Sequence, residues 1–129
     1  MRSYEILRDG KTFNVSIYAT MRTMRRGINT LVRNMEWEPF DIDDAGAFTL
    51  TYQEGGSDRV EVFFALEQMD SEEVSHEMSH VYQSFFPSKL RTIGRYSTYN
   101  AKSFSAREHM AYFIGWTTAR VMEIKDATE

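Results

Sequence analysis

The sequence predicts an α+β domain in which a small sheet of two hairpins packs with three helices. Two observations carry this reading. The turn pairs Asp9-Gly10 and Gly55-Gly56 each separate two strand-like runs, and three other segments space their apolar residues three and four apart. A length of 129 residues suits a single domain, 1–129, and 42% apolar with 14% aromatic residues is enough to build a core.

In chain order, Ser3 to Arg8 and Thr12 to Ala19 flank Asp9-Gly10, whose residues tolerate the positive φ of a tight hairpin turn. Phe13, Val15 and Ile17 alternate with Asn14 and Ser16, the period of a half-buried strand. Met21, Met24, Ile28, Leu31 and Met35 form the stripe of a helix over 20–35, with Thr20 as N-cap. Pro39, Asp41, Asp43 and Asp44 mark a loop. The second hairpin pairs Ala47 to Gln53 with Arg59 to Leu66, and the apolar run of the latter predicts cover on both faces. A helix follows over Ser71 to Phe86, capped by Asp70 with Glu73 three residues on, and Pro87 stops it. Residues 87–104 read as a long loop, and a last helix spans Ser105 to Ile124.

Composition narrows the chemistry. With no cysteine there is no disulfide, no thiolate nucleophile and no Cys-ligated zinc, so nitrogen ligands must come from three histidines. A net charge of -4 disfavours a nucleic-acid-binding domain. No apolar run is long enough for a membrane span and no secretory h-region opens the chain, so a cytoplasmic protein is expected, a virion component being compatible.

The Ser71–Phe86 segment contains His76-Glu77-Met78-Ser79-His80. Residues four apart lie one turn apart on the same helix face, so both imidazoles can reach one zinc ion, while Glu77 sits where its carboxylate meets a metal-bound water. There it would act as general base and then as general acid. Val74, Met78, Val81, Tyr82 and Phe85 form the opposite, apolar face, which aims the histidines away from the core.

This H-E-x-x-H run, with Glu108-His109-Met110-Ala111 on the later helix, resembles the zincin metallopeptidases, in particular the gluzincins and small ImmA/IrrE-like relatives. The Gly and third His of the metzincin pattern are absent after His80. The resemblance implies a minimal zincin-like domain, an edge strand that holds an extended peptide, and a third zinc ligand from a Glu on the following helix. Glu108 matches that Glu. Its face also carries Ala111, Gly115 and Ala119, which would let two helices approach closely; Gly115 otherwise costs a helix about 1 kcal/mol. Two alternatives stay open at this point: Ser105 and Glu108 form a capping box, and His109 is a rival third ligand.

An oxyanion at zinc calls for a second stabiliser, and Tyr96 is the first choice among Arg91, Arg95, Tyr96, Tyr99 and Tyr112. The resulting expectation is a metallopeptidase with one zinc on His76, His80 and Glu108, with Glu77 and Tyr96 catalytic. Its substrate is a peptide or protein lying along Arg59–Leu66. The alternative is a non-catalytic zincin-like binding or assembly protein, such as a phage or accessory protein, with a structural or vestigial metal. Arg22, Arg25, Arg26 and Arg33 on the first helix support a weaker third reading, a nucleic-acid-associated regulator.

Overall fold

Both expected hairpin turns form with the backbone their residues allow. Asp9 and Gly10 have φ of 52° and 73°, and Gly55 and Gly56 have 59° and 80°, the two positive values of a two-residue hairpin turn. The computed structural model describes residues 1–38, 45–95 and 100–128. The first turn joins β1 (Arg2–Arg8) to β2 (Lys11–Tyr18), and the second joins β3 (Ala47–Glu54) to β4 (Ser57–Ala65). The hairpins unite by parallel pairing of β2 with β4, which yields one mixed four-stranded sheet in the order β1-β2-β4-β3. The protein is α+β.

Strand alternation divides the core in two. Phe13, Val15 and Ile17 of β2 and Val60, Val62 and Phe64 of β4 point to one face of the sheet. Leu50, Tyr52, Phe63 and Ala65 point to the other. Helix α1 (Met21–Asn34) covers the second face with Met24, Ile28 and Val32. Thr20 caps it as expected, in a reciprocal capping box with Thr23. Glycine at position 27 lets α1 come close to the sheet, because a Cβ there would strike the Tyr18 ring. As its apolar run implied, β4 is covered on both faces and is nearly all buried from Val60 onward.

The first face is covered by α2 (Ser71–Phe85) and α4 (Ala101–Thr128). The Asp70 carboxylate accepts the Glu73 N–H at 2.7 Å and fixes the start of α2. Pro87 ends this helix but also begins another, α3 (Pro87–Arg95), so the described residues form four α-helices where three were expected. Proline suits the first position of a helix because its missing N–H would have no partner there. Leu90 anchors α3 to the core. Ile93 is the other aliphatic residue of α3, and two such positions are too few to show a clear apolar stripe in sequence.

The last helix begins four residues earlier than expected. Asn100 and Ser103 cap it reciprocally: Asn100 Oδ1 accepts the Ser103 N–H at 3.0 Å, and Ser103 Oγ accepts the Asn100 N–H at 3.1 Å. Ser105 is therefore interior to α4, and the Ser105–Glu108 capping box does not form. Among the described residues no helix is long and apolar enough to cross a membrane.

Candidate metal centre

On α2 the two imidazoles meet. His76 Nε2 and His80 Nε2 lie 3.2 Å apart with the rings nearly perpendicular at 83°. The distance is that of a hydrogen bond between the two rings, and it is close to the separation of about 3.3–3.4 Å between two nitrogens that share a tetrahedral zinc. Their separation follows from helical spacing alone, since i and i+4 side chains stack on one face.

Glu77, one residue on, turns toward the sheet and is buried, 5% exposed. Its Oε2 accepts a hydrogen bond from Thr49 Oγ1 of β3 at 2.9 Å. Burial raises its pKa above the ordinary carboxylate value, while the Thr49 bond and the neighbouring His80 and His76 oppose that rise. The site therefore holds a carboxyl group that takes up a proton more readily than a solvated one.

Glu77 and His80 open onto a groove of about 350 Å³ between β3 and α2. Phe48, Thr49 and Thr51 line its strand side, with Gln83 and Ser84 beyond His80 on the helix side. Thr51 and Ser84 hydroxyls bond across it at 2.9 Å. The threonines lie here because β3 alternates: Phe48, Leu50 and Tyr52 turn toward α1, which leaves Thr49 and Thr51 facing α2. Beside this groove, β3 is an edge strand, and among the described residues it pairs only with β4.

That topology corrects the expected substrate strand. Arg59–Leu66 is inner strand β4 and the start of the following turn, bonded to β2 on one side and β3 on the other. It has no free edge on which to pair a peptide. The strand positioned to do so beside the histidines is β3.

Glu108 does not join the pair. Helix α4 buries Ser103, Ala106, Phe113, Thr117, Val121 and Ile124, and Glu108 falls on nearly the opposite side of the helix. Ala111, Gly115 and Ala119 on the Glu108 side are exposed, and a Cβ on Gly115 would meet nothing within 4 Å among the described residues. The small residues thus line an outer surface of α4 and bring no helix close. Among the described residues no group of three His, Asp or Glu is placed to hold a metal ion.

His109 is engaged elsewhere. Its Nδ1 lies 2.9 Å from Tyr82 Oη and its Nε2 lies 3.3 Å from Asp9 Oδ2. The carboxylate calls for a proton on Nε2, leaving Nδ1 to accept from the tyrosine. Both ring nitrogens are committed, and the ring packs against Phe86 at 4.7 Å between centroids. Tyr82 is fully buried on the far side of α2 from the histidine pair, and desolvation raises its pKa to about 12.

Of the remaining candidates, Tyr96 and Tyr99 lie outside the described residues, as do Pro39, Asp41, Asp43 and Asp44. Arg91 and Arg95 are on α3, and Tyr112 is exposed on α4. Thr49 is the site residue that sequence reasoning missed. The alternation of β3 marked its face, but nothing local says which helix covers that face. No family model, characterised protein or solved structure matches this chain.

Proposed function

We propose that the groove between β3 and α2 is the active site of a zincin-like, zinc-dependent peptide hydrolase. The observation that carries this reading is the pairing of His76 and His80 nitrogens at 3.2 Å beside a buried Glu77 that is held by Thr49. His76 and His80 would hold the zinc, which when bound supplies a Lewis acid that polarises a carbonyl and acidifies water. Glu77 takes a proton at its carboxylate during attack and returns it to the leaving amine. Thr49 fixes the Oε2 atom, so the other carboxylate oxygen is the one left to move the proton. The outer edge of β3, unpaired among the described residues, offers main-chain N–H and C=O groups to an extended peptide, which would lie along the groove past Gln83 and Ser84.

A second reading is favoured by the outward placement of Glu108. In it the same groove belongs to a non-catalytic binding protein with a zincin-like arrangement and a metal of structural or vestigial role. Metal analysis followed by a peptide-library assay separates the two. The hydrolase reading expects wild type to bind one zinc and cleave peptides, and Glu77→Gln to keep the zinc and lose cleavage by about a hundredfold or more. Zinc-loaded wild type that cleaves nothing supports the binding protein. Failure to bind zinc at neutral pH sinks both.

A further inference from the structure

All nineteen acidic residues lie outside the stretch 87–107, which carries five of the fifteen basic ones. In a chain of net charge -4 this is a strong local reversal of sign. The fold shapes it into a concavity. Ser88, Arg91, Thr92 and Arg95 recur at helical spacing on one face of α3, opposite the side where Leu90 grips the core. That face meets Lys102 in the first turn of α4 across an open cleft of about 600 Å³, with Gly94 at its rim.

The hydrogen bonds leave this cleft rich in donors. Arg91 Nη2 donates to Ser88 Oγ at 3.0 Å, which keeps the Ser88 O–H free to donate outward. Thr92 directs its own O–H to the Ser88 carbonyl. No carboxylate lies within salt-bridge distance of Arg91, Arg95 or Lys102 among the described residues. Three converging cations and a free hydroxyl recognise an anion with several oxygens and about three charges, and guanidinium pairs match phosphate oxygens two at a time. The cleft volume falls within the range of small-ligand pockets, which is about 300–1,000 Å³.

We propose that the α3–α4 cleft binds a diphosphate-bearing small molecule through Arg91, Arg95 and Lys102. This site is separate from the β3–α2 groove and stands whether or not that groove binds zinc.

Isothermal titration of the full chain with inorganic pyrophosphate, and separately with ADP, tests it. Wild type binds at least one of the two, and Lys102→Ala and Arg91→Ala each weaken that binding about tenfold. Gly94 supplies the variants, because among the described residues nothing lies within 4 Å of a Cβ there. Gly94→Asp puts a carboxylate at the rim and abolishes binding, whereas Gly94→Ala retains it. Tighter binding of ADP assigns a nucleotide, and equal or tighter binding of pyrophosphate assigns the diphosphate group alone. Absence of binding to both ligands overturns the proposal, as does affinity unchanged in Lys102→Ala and Gly94→Asp. Binding of a short single-stranded oligonucleotide without either small ligand also overturns it, in favour of a nucleic-acid surface.

Discussion

Helices α2 and α4 each carry part of the ligand set expected from sequence, and the fold treats them differently. On α2, His76 and His80 need only the helix itself to bring their nitrogens to 3.2 Å. On α4, the position of Glu108 depends on how the whole helix is rotated against its neighbours. Phe113 decides that rotation: fully buried, it packs against Tyr82, Phe85 and Phe86 of the α2 end. Turning Glu108 toward the histidines would turn Phe113 out. Burial of an aromatic outweighs the gain a glutamate could make at an outer surface, so the apolar face wins.

The largest expected effect tests that anchor. Phe113→Ala lowers the free energy of unfolding by about 3–5 kcal/mol in urea titrations, as truncation of a buried aromatic does. Gly115→Ala on the outer face has the opposite sign and stabilises by up to about 1 kcal/mol, since alanine is the better helix former and its methyl meets nothing. A destabilising Gly115→Ala would break the comparison by showing that the small-residue face packs against something.

Metal affinity comes next. His76→Ala weakens zinc binding by about 100-fold or more, while Glu108→Ala changes it by less than about twofold, measured by competition with a chromophoric chelator. Equal losses in the two variants would mean that α4 reorients when metal binds.

A further effect concerns the Tyr82–His109–Asp9 chain that pins α4 to α2 and to the first hairpin. The Tyr82 phenol is raised from 10.0 to about 12, so the folded protein keeps a proton that the unfolded chain releases. Stability from this group is fully present below pH 10 and is lost as the pH rises toward 12. Tyr82→Phe removes that alkaline slope and costs about 1 kcal/mol near neutrality through the lost bond to His109. Thermal unfolding of both proteins across the alkaline range checks it, and an unchanged slope in the variant counts against a buried phenol.

What was legible in the sequence follows one rule. The turns at Asp9-Gly10 and Gly55-Gly56, the Thr20 and Asp70 caps and the histidine pair all depend on residues within four positions of one another. Helix α3 escaped because nine residues with few apolar positions look like a polar loop, although Pro87 is a good helix start as well as a stop. The early start of α4 escaped because Asn100–Ser103 and Ser105–Glu108 both fit a capping pattern, and local chemistry does not choose between them.

By itself the sequence determined that His76, Glu77 and His80 share one turn of helix and that two hairpins build the sheet, because backbone geometry sets contacts at short separation. Only the tertiary structure decided that β4 is an inner strand and β3 an edge strand, and that Thr49 holds Glu77. It also set the direction in which Glu108 faces. Those outcomes rest on how strands order and helices rotate to bury the most apolar surface, a sum over the whole chain that no local motif encodes.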